Sequence, residues 1–424
     1  MPRVNRLSPP GRDAPGLADI AGRELSALLQ QRVLAAIAGA GGWLPFDRYM
    51  AMALYEPGLG YYARGAPLFG TGPAGGSDFV TAPELSPLFG AALAAQVAEV
   101  LRLAALDEVI EFGAGSGALA AQVLGALAAR GIALRRYTIV ELPGALRARQ
   151  QQRLAGFGDT VRWLDRWPPA IEAVVIGNEV LDAMPVKLLR FDGQAWLERG
   201  VIAAAAASTA AEPMPVHPPH RQGERAVDDG ASPAGPGAAV VPVGLAFAER
   251  PTALRPPLAE QALPGATVEI HPQAEAFVAT LAARLARGAA FFIDYGFPEA
   301  EYYHPQRHQG TLMCHRAHRA DIDPLAEPGT KDITAHLNFT ALALAAQEVG
   351  AEVVGYTSQA RFLMNCGLLE RLHGADARTL APAHKLLAEH EMGELFKVLA
   401  FARGVRFGPA GPLGFRAGDR THML

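Results

Sequence analysis

Glu108-Val109-Ile110-Glu111-Phe112-Gly113-Ala114-Gly115-Ser116-Gly117-Ala118-Leu119 passes from an apolar run into a turn with glycine at every second position, then into an Ala- and Leu-rich stretch. A strand that feeds a helix through such a turn is the opening unit of a parallel sheet with crossover helices. Glycine lets the backbone turn tightly and approach a ligand closely, and the helix start presents unpaired N–H groups. Glycines also serve plain loops, so the turn needs support from its surroundings.

That support comes from the flanks. Strand-like runs recur at 137–140, 161–164, 173–176 and 290–293, with helix-like segments between them, and a helix over Pro87–Leu103 precedes the first. The alternation predicts an α/β fold with a Rossmann-like core and a mostly parallel twisted sheet. Later strand-like runs lie at 353–356 and 395–401, and a helix at 338–349. Residues 187–201 read as an antiparallel hairpin, and 17–40 as an amphipathic helix. The stretch 46–90 is rich in Gly, Pro and aromatics without a sustained period, and reads as an ordered, loop-rich cap. The Ala-, Pro- and Gly-rich segment 203–240 has too little apolar surface to offset its ordering entropy and reads as a flexible insertion. The expected organisation is a cap over 1–103, a first part of the core over 104–202, the insertion over 203–240, and the rest of the core, with a polar His-rich cleft loop at 302–332, over 241–424.

Composition excludes several classes. The chain has 424 residues, half of them hydrophobic, enough for a sizeable core, and a formal charge of −4 leaves no cationic excess for a nucleic-acid backbone. Two cysteines, Cys314 and Cys366, make neither a disulfide framework nor a thiolate zinc site. His304, His308, Cys314, His315 and His318 follow no regular ligand spacing, so no metal is expected. The first residues lack the apolar core of a secretion signal, Asp13, Asp19 and Glu24 come early for a transit peptide, and no run reaches membrane-spanning length. A soluble, cytoplasmic protein without membrane insertion is expected; nothing in the sequence sets its oligomeric state.

Acids at the strand ends carry the chemistry. In open parallel sheets ligands bind beyond the carboxyl ends of the strands. Glu141 ends the second strand, where an acid receives ribose hydroxyls, and Asp165 follows the third, placed for an adenine amino group or for a turn cap. A nicotinamide dinucleotide fits Gly113, Gly115 and Ala118. The Glu-x-Gly-x-Gly-x-Gly spacing, and Glu111 where a pyrophosphate is repelled, favour S-adenosylmethionine. The fourth and fifth strands end in Asn178-Glu179 with Asp182, and in Asp294-Tyr295, which suggests a cationic substrate. Glu179 and Asp182 share a face if Glu179 opens a helical turn; otherwise Asp182 closes the turn before Pro185. Asp294 reads as a third acid in the pocket or as the anchor of the turn at Gly296. Thr81 with Glu84, or Ser86 with Pro87, reads as a helix start.

The runs Asp78-Phe79-Val80-Thr81-Ala82-Pro83-Glu84, Glu111 to Gly117, Asn178-Glu179-Val180-Leu181-Asp182-Ala183-Met184-Pro185, Ile293-Asp294-Tyr295-Gly296, Gly310-Thr311-Leu312 and Asp332-Ile333-Thr334-Ala335-His336 together resemble the MidA-like methyltransferases, a family that includes a mitochondrial complex I assembly factor. Gly75-Gly76-Ser77 and Asn338 depart locally from the family pattern. The resemblance implies a class I methyltransferase fold and S-adenosyl-L-methionine as donor. It also implies a protein substrate, namely an arginine of a respiratory complex I subunit that becomes symmetrically dimethylated. Thr81, Pro83, Glu84, Glu111, Gly113, Gly115, Gly117, Glu141, Asp165 and Asn178 are then the expected cofactor residues, and Glu179, Asp182 and Asp294 the catalytic ones. A guanidinium is a poor nucleophile because its charge is delocalised, and a carboxylate pair that draws the charge to two nitrogens leaves the third better able to attack. The alternatives are a small-molecule or other side-chain acceptor, and a non-catalytic cofactor-binding assembly chaperone.

Overall fold

The computed structural model describes residues 17–64, 81–141, 144–204, 244–316 and 319–424, with the side chains of 17–21 and 319–320 left out. The expected insertion beyond Ala204, the cap residues Asp78 and Phe79, and His318 lie outside the described residues. At the centre is one eight-stranded sheet. Its main strands are β1 (Glu108–Phe112), β2 (Arg136–Val140), β3 (Val161–Leu164), β4 (Ile171–Asn178), β5 (Leu285–Phe297), β6 (Glu352–Ser358) and β7 (Phe396–Arg403). They lie in the order β3-β2-β1-β4-β5-β7-β6, and the two-residue strand Leu337–Asn338 pairs with the end of β5. The strands from β3 to β5 are mutually parallel, whereas β7 runs antiparallel to both β5 and β6.

The apolar runs follow from burial on both faces. Val109, Val174, Ile176 and Phe291 face the helices Pro87–Leu103 and Ala118–Ala129, while Ile110, Val175 and Phe292 face Pro272–Arg284 and Phe339–Glu348. The expected helix at 338–349 is capped by Asn338, whose Oδ1 accepts from Ala341 N at 3.3 Å, so asparagine performs the capping that an aspartate would. The chain builds outward from β1 through β3, then returns to place β4 on the other side of β1. The strand order reverses there, and the ends of β1 and β4 flank the crevice that opens.

A second sheet of five strands contains the expected hairpin, Lys187–Phe191 with Trp196–Ala204, flanked by Leu44–Pro45, Gly244–Pro251 and Thr267–Ile270. The helices Leu17–Gly39 and Phe46–Tyr55 pack on it through Leu29, Val33, Phe46 and Met50 against Leu188 and Val201. Part of the stretch read as period-free is thus helical: Phe46, Tyr49, Met50, Ala53 and Leu54 form one buried face. One helix of ten residues is too short to stand out beside the glycines and prolines that follow. The His-rich stretch is not a plain loop either, because Met313–Arg316 pairs with Arg319–Asp321 and with Asp332–Thr334. Among the described residues no helix is long and apolar enough to cross a membrane.

Candidate functional site

A cleft of about 1630 Å³ runs along the carboxyl ends of β1 to β5. At one end stands the glycine turn, where Gly113, Gly115 and Gly117 have φ of +64°, +52° and +82°. Side chains rarely adopt this left-handed region, and a Cβ at Gly113 would also lie 2.7 Å from Cγ2 of Val180. Glu111 is buried beneath the turn, and Tyr137 Oη donates to its Oε2 at 2.6 Å. Burial pushes the Glu111 carboxyl up to about 7, and nearby Glu141 adds to the shift. Glu141 and Asp165 line the cleft at the ends of β2 and β3.

Thr81 and Pro83 line the cleft from the cap side. The expected capping box does not form, because the Thr81 side chain makes no cap bond to the short helix Ala82–Leu85. Glu84 reaches across instead: it accepts from Ser116 Oγ and, at 2.8 Å, from Arg153 Nη1, tying the cap to the glycine turn. Ser86 does cap the next helix, its Oγ accepting from Leu88 N at 3.3 Å.

The other end of the cleft is acidic with aromatic walls. Glu179, Asp182 and Asp332 all line it, together with Tyr55, Tyr62 and Tyr295. Glu179 and Asp182 converge without a helical turn. Glu179 has φ of +52°, its N–H donates to Ile293 O at 2.9 Å, and a turn closed by Met184 N to Leu181 O at 3.1 Å follows. Burial raises the Glu179 carboxyl to about 8, with the Asp182 charge adding, and burial raises Asp182 to about 6. The hydroxyl of Tyr295 donates to Asp182, and that of Tyr62 to Asp332 Oδ1 at 2.9 Å. Tyr55 stacks on Tyr62, with ring centroids 5.6 Å apart, and donates to Ala183 O at 2.9 Å.

Asp294 is not in the pocket wall. Its Oδ2 accepts from Leu181 N at 3.0 Å and from Asp182 N at 3.3 Å, and its Oδ1 from Tyr295 N at 2.9 Å. The expected third pocket acid therefore sits underneath the 181–182 turn and holds it. Glu84 and Gly117 likewise stand one layer back, whereas Glu111, Gly113, Gly115, Glu141, Asp165, Asn178, Glu179 and Asp182 all border one cleft.

Several residues to which the sequence reading gave no site role complete the site. Asp332 and His336 reach the cleft from the segment that carries the 332–336 motif, which signalled them only as a run. Burial lowers the His336 imidazole to about 4, so the ring is neutral near pH 7. Its backbone N–H donates to Thr311 Oγ1 at 3.1 Å, and Thr311 is held by Glu269, whose carboxylate also accepts from Leu312 N at 3.1 Å and Tyr302 Oη at 2.9 Å. Gly310 makes room for that carboxylate, since a Cβ there would lie 2.3 Å from Glu269 Oε1. The Gly310-Thr311-Leu312 motif is thus a seat for a buried acid. His315 borders the cleft and Cys314 is buried, and among the described residues no group of three or more His, Cys, Asp or Glu side chains is placed to hold a metal ion.

The donor set suits an adenosyl amino acid. Asn178 Oδ1 is buried and has no hydrogen-bond partner among the described residues, so it is a ready acceptor for an ammonium group. Comparison with known proteins agrees. Residues 92–357 match the family of S-adenosyl-L-methionine-dependent methyltransferases. A superfamily member from Burkholderia thailandensis, whose crystal structure holds S-adenosyl-homocysteine, is 46% identical, with a TM-score of 0.84 over 98% of this chain and 100% of that one. The mitochondrial protein arginine methyltransferase NDUFAF7 of Danio rerio is 25% identical over 410 residues, 87% of this chain and 85% of the relative. Its Drosophila melanogaster homologue is 26% identical over 405 residues, 86% and 82% respectively. The expected cytoplasmic location does not stand, because these curated relatives are named mitochondrial. The chain belongs to this methyltransferase family, and S-adenosyl-L-methionine is its cofactor.

Proposed function

We propose, on the premise of that family membership, that the enzyme methylates an arginine side chain of a protein, with Glu179 and Asp182 gripping the guanidinium. The observation that carries this reading is the convergence of three carboxylates, half-buried Glu179 with buried Asp182 and Asp332, on one tyrosine-walled end of the cleft beside the glycine turn. Crowded acids in a low-dielectric wall hold protons when alone, and a planar cation with five N–H donors relieves both their repulsion and their lost hydration. The tyrosine faces offer the same cation a π surface.

The glycine turn and Asn178 would hold the methionine part of the cofactor, Glu141 the ribose hydroxyls and Asp165 the adenine amino group, with Thr81 and Pro83 covering it. When bound, the cofactor supplies an electrophilic methyl group on a sulfonium. Glu179 and Asp182 draw the guanidinium charge onto the two nitrogens they bind, which leaves the third nitrogen its lone pair. That nitrogen would form the bond to the methyl carbon as the carbon–sulfur bond breaks with its electron pair staying on sulfur, and it must shed a proton to remain a monocation. The raised proton affinity of the Glu179 carboxylate supports it as the acceptor of that proton. Asp294 keeps the pair aimed by fixing the backbone of Leu181 and Asp182.

The names of the curated relatives support a protein arginine as acceptor, and a complex I subunit, which the MidA-like resemblance implies, is the first substrate to try. Incubation with isotopically labelled donor and such subunits, followed by mass spectrometry, should show methyl groups on arginine. Label on another side chain or a small molecule would overturn the acceptor assignment. No transfer, with S-adenosyl-homocysteine binding intact, would favour the non-catalytic chaperone.

A further inference from the structure

We propose that Gln150 is a positioning residue of the cofactor site, locking the Glu141 carboxylate for the ribose and tying it to the glycine turn. This rests on the reading of Glu141 as the ribose acid. Gln150 projects from the helix Ala145–Leu154 and is fully buried. Its Nε2 donates to Gly115 O at 2.9 Å and to Glu141 Oε2 at 3.2 Å, while its Oε1 accepts from Trp163 Nε1 at 3.0 Å. An indole N–H can only donate, so Trp163 fixes which end of the amide is oxygen and directs the NH₂ group at the turn and the acid. A single side chain thereby connects the turn after β1, the end of β2 and strand β3.

The consequence is preorganisation. A carboxylate that must accept two ribose hydroxyls binds more tightly when its rotamer is already set, because no side-chain entropy is lost on binding. The turn packs on the same helix, as a Cβ at Gly117 would lie 3.5 Å from the Gln150 Cα, so helix, turn and acid keep one register.

The test uses calorimetry with S-adenosyl-homocysteine and with its 2′,3′-dideoxyribose analogue, on the full chain. Wild type should bind the analogue more weakly, since it lacks the hydroxyls. Gln150→Leu should weaken S-adenosyl-homocysteine by about tenfold, the size of a lost hydrogen bond to a charged group, and the analogue by less than about twofold. Gln150→Glu donates to Glu141 only when protonated, so its affinity for S-adenosyl-homocysteine should recover as the pH is lowered from about 8 to about 6. Equal losses for both ligands in Gln150→Leu, or no loss, would overturn the positioning role. Equal binding of both ligands by wild type would overturn the ribose assignment of Glu141 itself, and is visible before any variant is made.

Discussion

At the glycine-turn end of the cleft, one continuous passage from Glu108 to Leu119 supplies strand, turn and helix, and the neighbouring strand ends add Glu141 and Asp165. At the acidic end, the wall is gathered from segments far apart in the chain: Tyr55 and Tyr62 from the cap, Glu179 and Asp182 from the turn after β4, Tyr295 from β5, and Asp332 and His336 from the end of the His-rich stretch and just past it. The first end rests on backbone geometry, which any family member with the same cofactor must reproduce. The second rests on side chains, which can be exchanged without disturbing the sheet. Cofactor binding and acceptor chemistry should therefore respond separately to substitution.

The sharpest test is Glu179→Gln, which should lower turnover by roughly a thousandfold while leaving S-adenosyl-homocysteine affinity within about twofold. Steady-state kinetics with calorimetry on the same sample checks both, and a fully active variant would remove Glu179 from the mechanism. The converse is Gly115→Val. A branched side chain at φ of +52° should reduce cofactor affinity by about a hundredfold or more, and unchanged calorimetric affinity would break the assignment of this end. A smaller effect concerns pH. Binding a cation requires ionised acids, so the KM for the acceptor should fall by about tenfold between pH 6 and pH 8, as Asp182 and then Glu179 give up protons. A flat profile would mean the acids do not meet the cation.

The smallest effect is on stability. The folded-state pKa of Glu179, about 8, lies above its ordinary value of 4.5, so the folded chain holds a proton that the unfolded chain has released. Stability should then be greatest below about pH 4.5 for this group and be lost as the pH rises through 8. At pH 8 Glu179→Gln, which is never charged, should be more stable than wild type by about 1 to 3 kcal/mol. Thermal melts of both proteins across this range would show it; a variant less stable at pH 8 would sink the account.

This contrast also decides what the sequence disclosed. The strands β1, β4 and β5 were legible because burial on both faces leaves nearly continuous apolar runs, and the acids were legible because they follow directly on the strand-like runs. The antiparallel course of β7 was not, since its residues read the same in either direction. Asp294 was misplaced because an acid at a strand end serves a pocket or the amides of a neighbouring turn equally well, and only the position of Leu181 and Asp182 distinguishes the two. Tyr55, Tyr62 and Asp332 had no period to mark them. Gln150 lies one helical turn before buried Leu154, a clue that three adjacent glutamines concealed.

Glu269 belongs to the strand Thr267–Ile270 of the second sheet, yet through Thr311 it fixes the backbone of His336 in the wall of the cleft. Anyone seeking to redirect this enzyme to a new target should therefore randomise that remote strand as well as the pocket. On the proposed reading of the acidic end as the acceptor site, selectivity would be set in part from that neighbouring layer.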